Sequence, residues 1–493
     1  MKKRILSLLL AALMLIPMTA CNDPENNDIA ENNDTTVASD ASGNEAETSE
    51  YDALVADLPT GNYDGYKFMM LNNESNFALT QMDADEQTGE PINDAIYKRN
   101  AAVAERLNID ISENMVGYAE VTNIMSKSIA AEEDTYSCFW NESYLVAPFA
   151  IDGKLQNING ISAINLEKLW WDGDALEEIA FGDYQYFLVG DIHLMFKEAF
   201  YMMAFNKGIL ADNSLAVPYD MVRDGKWTMD VMQSYMKTAK LDLNGDSVID
   251  GYDRFGMTST ALCAYGLFIS SGELFVERGN DGIPALVQPD ERFYSVYEKI
   301  LGMTTAHSAD YACISGLTKN LSIYQNDFHD VFHVGNALFY LEPLGSLKKF
   351  RDSDVEFGVL PLPKYDEAQE DYHTYITNLA ALCGIPITAD SERTGVILEN
   401  LAAESCVELR DTYMDVTLKS KYIRDEESVE MLELILDSGR FSLTDILSVS
   451  DPVDVISQNL TARKSDLSSK YAAIMDRAAK KVEDNVKKLM KSE

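Results

Sequence analysis

The chain of 493 residues carries 81 Asp and Glu against 40 Lys and Arg, a formal net charge of −41, and 46% of it is hydrophobic. Such a surplus of negative charge argues against nucleic acid and against an anionic lipid surface as partners, because like charges repel. The apolar share is ordinary for a globular protein, and the length suits two domains.

The first residues read as an export signal. Lys2, Lys3 and Arg4 precede an apolar run at 5–16, and Pro17, Met18, Thr19 and Ala20 lead into Cys21. A basic start, a short apolar run and a small residue before the cut mark secretion. The run is too short to span about 30 Å of bilayer hydrocarbon. Ala20 before Cys21 resembles the lipobox of bacterial lipoproteins. That resemblance implies a signal peptide at 1–20 and a diacylglycerol on the Cys21 thiol, and two acyl chains suffice for stable anchoring where one is marginal. Residues 22–57 hold no Lys or Arg and are dominated by Asp, Glu, Asn, Ser and Thr. They bury too little apolar surface to offset their ordering entropy, so 21–61 is expected to be a disordered acidic tether.

Further along, residues 66–71 predict a buried strand entered through an Asp64, Gly65 turn. Ile96, Val103 and Leu107 recur at helical spacing within 92–107, and 108–111 reads as the next strand. Strand, helix, strand points to an α/β domain with parallel pairs. A helix is predicted at 121–131, and strands at 136–140, 186–189 and 199–205. Helices dominate the last third, most clearly at 429–436 and 471–490.

Cys138, Cys263, Cys313, Cys383 and Cys406 are odd in number and show neither CxxC nor a zinc spacing, so they read as buried free thiols. One segment has metal-ligand spacing. Asp242, Asn244, Asp246, Asp250 and Asp253 offer side-chain oxygens at positions one, three, five, nine and twelve, and Val248 offers a carbonyl at seven. This fits a structural calcium loop of the EF-hand type. Ser247 stands where a Gly makes the sharp turn, and Asp253 where a bidentate Glu is usual; Asp at twelve resembles dockerin-type loops. His329 and His333 sit at i and i+4, but Asp330 is one methylene shorter than the general base a zincin helix needs. No GxSxG, P-loop or GxGxxG sequence occurs.

Several segments, in order, resemble the extracellular solute-binding proteins of ABC importers, the carbohydrate-type family that includes maltodextrin-binding protein. They are YSCFWN at 136–141, FNKGIL at 205–210, GKWT at 225–228, the calcium-like loop ending in RFG at 254–256, and FGVLPLPK at 357–364. The resemblance implies two α/β lobes with a ligand cleft between them and crossing hinge strands. Lobe 1 would span 62–200 plus 376–430, and lobe 2 would span 201–375 plus 431–493.

It further implies a monomeric receptor, not an enzyme, on the extracytoplasmic face. The receptor would be held to the membrane by its lipid alone and would pass an oligosaccharide to ABC permease subunits. The alternative is a surface-anchored glycosidase or peptidase. A sugar site combines aromatic platforms with hydrogen-bonding side chains. The resemblance places Trp140 as a platform, with Asn141 and Glu142 after it at a strand end. Glu342 follows an apolar strand, and Tyr265 and Tyr375 complete the set. Of the adjacent Trp170 and Trp171 at least one is expected in the core, and Trp227 is expected to be structural. The acidic charge also permits a cationic ligand, for which Glu342 would be an ion-pair partner.

Overall fold

The computed structural model describes residues 55–304, 312–415, 425–462, 464 and 466–491. The export signal, Cys21 and the tether up to residue 54 lie outside the described residues.

The first half grows from the expected strand, helix, strand unit. β1 (Tyr66–Glu74) leads through α1 (Pro91–Leu107) to β2 (Ile109–Gly117), which pairs parallel with β1, Tyr66 opposite Ile109. Pro91 starts α1, where its missing N–H is no loss, and the Glu90 side chain accepts from the Asn93 N–H at 2.9 Å. Asn108 ends it at φ 50°, a left-handed cap that a short polar side chain tolerates, so β2 begins one residue later than predicted. Ile92, Ile96, Val103 and Leu107 are buried on the helix. α2 (Tyr118–Ala130), β3 (Cys138–Glu142) and α3 (Ser143–Ile151) follow. The predicted strand at 186–189 forms no ladder. It is a buried connection that pairs with the sheet only where Leu188 and Cys383 exchange backbone hydrogen bonds at 3.1 and 3.0 Å.

After α4 (Leu194–Glu198) the chain crosses into β4 (Tyr201–Asn206). The second half then adds α5 (Met229–Ala239), β5 (Phe255–Ser259), α6 (Cys263–Ser270), the hairpin β6 (Val276–Arg278) and β7 (Pro284–Leu286), β8 (Ala312–Ile314), α7 (Phe328–His333), β9 (Ala337–Pro343) and β10 (Phe357–Leu360). β11 (Thr374–Ile376) crosses back to β12 (Ala381–Gly384), and the C-terminal part holds α8 (Glu426–Asp437), β13 (Gly439–Phe441), α9 (Leu443–Ile446), α10 (Asp451–Ala462) and α11 (Leu467–Leu489).

The strands form two main sheets, β12-β3-β1-β2 and β10-β4-β9-β5-β8. The first sheet belongs to one buried cluster, around Phe68, Ile96 and Phe139, whereas the second is shared: Met202, Ala204 and Tyr340 join that cluster, and Met203, Phe205 and Phe339 join another around Trp227 and Phe268. The crossings are bonded to each other: Thr377 N donates to Ala199 O at 3.0 Å, and Leu344 N to Phe200 O at 2.8 Å. α11 holds both halves, since Leu489 O accepts from the Tyr186 hydroxyl at 2.6 Å and Tyr471 stacks on Phe275 at 6.0 Å. The five cysteines of the described residues are buried free thiols. Trp227 is fully buried, its indole N–H donating to Pro361 O at 3.1 Å. Trp170 and Trp171 are both buried, and Trp171 donates to Glu399 at 2.9 Å.

Candidate functional site

β1, β2 and β3 run parallel, so their carboxyl ends at Glu74, Gly117 and Glu142 share one edge of the first sheet. β5, β8 and β9 likewise end together at Ser259, Ile314 and Pro343. Sheets of this class present ligands at such edges.

On the second sheet, Glu342 accepts from the Thr260 N–H at 3.0 Å, and the Ser259 hydroxyl lies 3.2 Å from the same oxygen. Burial pushes its carboxyl up to about 7, against the pull of those donors. Glu342 also raises the phenol of Tyr201, whose larger push comes from burial. The Tyr201 ring lies 5.3 Å from that of Tyr375, and Tyr375 lies 4.9 Å from Tyr265. Tyr265 is hydrogen-bonded to Ser442 and, at 3.0 Å, to Thr444, while Tyr375 donates to Asp445 at 3.4 Å. The link to the first sheet runs through Asn378: its N–H donates to the Tyr375 hydroxyl at 3.3 Å, and its carbonyl accepts from Ser143 at 3.0 Å. Burial holds the Asp445 carboxyl near 7 although Tyr375 donates to it, and the residue keeps partial solvent access.

Glu342, Tyr265 and Tyr375 are thus brought into one network. It also includes Tyr201, Asn378 and Asp445, which the sequence did not single out. Tyr265 and Tyr375 are only 1% and 3% exposed, so both are packed inside the protein and leave no ring face free for a ligand.

On the first sheet, Glu142 is 8% exposed, and burial raises its carboxyl while a hydrogen bond from the Tyr144 hydroxyl lowers it. The neighbouring predicted residues are committed elsewhere. Asn141 donates to Tyr118 O at 2.9 Å and to Thr122 at 3.3 Å, and its side-chain oxygen accepts from the Glu142 N–H at 3.0 Å. Trp140 is 1% exposed and stacks on His193 with ring centroids 5.9 Å apart. This corrects the platform expected there. β3 lies inside its sheet, between β12 and β1, and is buried at every residue, so its indole packs in the core. The aromatic rings that do reach solvent at this edge are those of Tyr118, 50% exposed, and the half-buried Tyr144. Their signal in the sequence was position alone, immediately after the ends of β2 and β3.

The 242–253 loop folds as a chain of turns closed by its own side chains. Asp242 accepts from Gly245 N at 2.6 Å and Ser247 N at 2.8 Å, and Asp253 accepts from Leu243 N at 2.8 Å and Asp250 N at 3.0 Å. Ser247 adopts φ 66°, supplying the left-handed turn that a Gly makes in such loops. Among the described residues no three carboxylate, imidazole or thiol side chains gather in a way that holds a metal ion. His329 and His333 do not share a site either: His329 Nδ1 lies 2.8 Å from the Tyr340 hydroxyl, and His333 lies 3.4 Å from Asp352. Their helix has six residues.

No protein-family model matches the chain, and no curated protein matches it. Solved structures do. The chain is similar over 86% of its length to the cyclic alpha-maltosyl-1,6-maltose binding protein from Arthrobacter globiformis, with 13% identity, 99% of that chain covered and a TM-score of 0.57. It is similar over 87% to an ABC substrate-binding protein from Listeria monocytogenes solved with cycloalternan, with 13% identity, all of that chain covered and a TM-score of 0.54. UgpB from Mycobacterium tuberculosis, solved with glycerophosphocholine, matches over 86% with 14% identity, all of that chain covered and a TM-score of 0.54. At these identities the likeness is one of fold: the chain has the two-lobed α/β fold of ABC-type binding proteins.

Proposed function

We propose that the chain is a lipid-anchored extracytoplasmic receptor that captures an oligosaccharide and delivers it to an ABC importer. One observation carries the reading: the carboxyl ends of both sheets feed a single network of carboxylates and tyrosines beside the crossing strands, in a fold shared with a binding protein solved with cycloalternan. Two halves joined by short crossings are built to hinge on a ligand. Anchoring rests on the sequence alone, through Cys21 and the acidic tether. No helix among the described residues is long and apolar enough to cross a membrane.

The lobe boundaries proposed are those of the sequence, 62–200 plus 376–430 and 201–375 plus 431–493, with the protein acting as a monomer. The calcium reading of the 242–253 loop is proposed on its oxygen spacing and on the turn at Ser247; the role would be structural.

A thermal-shift panel of oligosaccharides, with basic peptides and polyamines as the cationic arm, tests the function. A ligand at 100 times its Kd adds about 2.7 kcal/mol of stability. Stabilisation by an oligosaccharide supports the receptor. Turnover of a glycoside or peptide by the purified protein overturns it in favour of the anchored hydrolase.

A further inference from the structure

The platform that Trp140 cannot provide has a replacement at the same edge. Tyr118 is the first residue after β2, and Tyr144 the second after β3. Tyr118 keeps half of its surface in water although its backbone is fixed: its carbonyl accepts from Asn141 at 2.9 Å and from Thr122 at 3.4 Å. Tyr144 is tied through its hydroxyl to Glu142, and burial first, then Glu142 and least Tyr118, disfavour ionisation of its phenol. At the corresponding edge of the second sheet, Leu262 follows β5 and is 42% exposed.

We propose that Tyr118 and Tyr144 are the stacking platform for a pyranose ring, with Glu142 accepting a hydrogen bond from one of its hydroxyls. The inference rests on the receptor reading and adds the residues that set its preference for sugar. A pyranose offers an apolar CH face for a ring and hydroxyls for a carboxylate, and a platform held in place before binding loses little entropy on contact. Asn141 serves as a positioning residue, since its amide holds the Tyr118 backbone at the strand edge.

Calorimetric titration of the full chain with maltotetraose, cellotetraose, xylotetraose and cycloalternan, with spermidine as the cationic control, tests this. For the sugar bound best, Tyr118→Ala and Tyr144→Ala are each expected to raise Kd about tenfold or more, the equivalent of 1.4 kcal/mol. The melting temperature of ligand-free Tyr118→Ala should stay at the parent value, because that ring is half exposed. Tyr144→Phe keeps the ring and removes the Glu142 partner, so its Kd should change less but acquire a different pH profile. Parent-like sugar binding by both alanine variants would overturn the platform and leave the receptor intact. A parent that binds spermidine and none of the sugars would overturn the platform and the oligosaccharide reading together.

Discussion

Glu342 at the end of β9 and Thr260 just after β5 are joined by a 3.0 Å hydrogen bond from the Thr260 N–H, so one buried carboxylate ties two strand ends of the second sheet. Around it, Tyr201, Tyr375 and Asp445 carry the network towards the crossing strands. The burial of Glu342 should make the stability of the molecule depend on pH.

Burial holds the Glu342 carboxyl near 7, above its unfolded value of about 4.3. The sign follows from proton counting. Between those values the native state binds more protons than the unfolded state, so the contribution of Glu342 is complete below pH ~4 and is lost as pH rises through about 7. The unfolding free energy of the parent, measured in urea, should therefore fall more between pH 5 and pH 8 than that of Glu342→Gln, by an amount on the order of 2 kcal/mol. Equal losses in both proteins would show that Glu342 does not titrate in this range.

Trp140→Ala should act on stability. Removing a fully buried indole stacked on His193 leaves a cavity, and such truncations cost about 3–5 kcal/mol. Denaturant unfolding measures it. A variant that keeps parental stability but loses sugar affinity would return Trp140 to the cleft.

For the solute itself, Glu342→Gln should weaken a neutral sugar by about 1–2 kcal/mol, on the order of one hydrogen bond. A cationic solute would lose more, because its ion-pair partner would be gone. Calorimetry on the best sugar and on spermidine separates the two.

Chelation addresses the 242–253 loop. If calcium joins the oxygens of Asp242, Asn244, Asp246, Asp250 and Asp253, EDTA should lower the melting temperature and leave sugar affinity nearly intact, and Asp242→Ala should do the same. A melting curve indifferent to both calcium and EDTA would leave the loop as turns closed by their own hydrogen bonds.

Gly256 gives a test of packing between β5 and α5. A Cβ there would lie 2.4 Å from the Met236 Cα, a backbone atom that cannot swing aside. Gly256→Ala should destabilise by about 1–3 kcal/mol, the cost of overpacking a filled core. An unchanged urea midpoint would mean that the helix can shift freely on the sheet.

By itself the sequence determined what depends on local pattern. Helical spacing at Ile96, Val103 and Leu107 and the strand beside it reproduced the β1-α1-β2 unit, because period and caps act within a few residues. The same local pattern recovered the helices of the last third and the structural place of Trp227. Tertiary structure decided the rest. Whether Trp140 faces a ligand or a core depends on which strands flank β3, and no window around residue 140 contains β12 or β1. Asp445 joins Tyr375 across 70 residues, and Tyr118 is held at the end of β3 because the Asn141 amide donates to its carbonyl. Such neighbours are created by strand order and chain crossing, so the site became legible only when both sheets had formed.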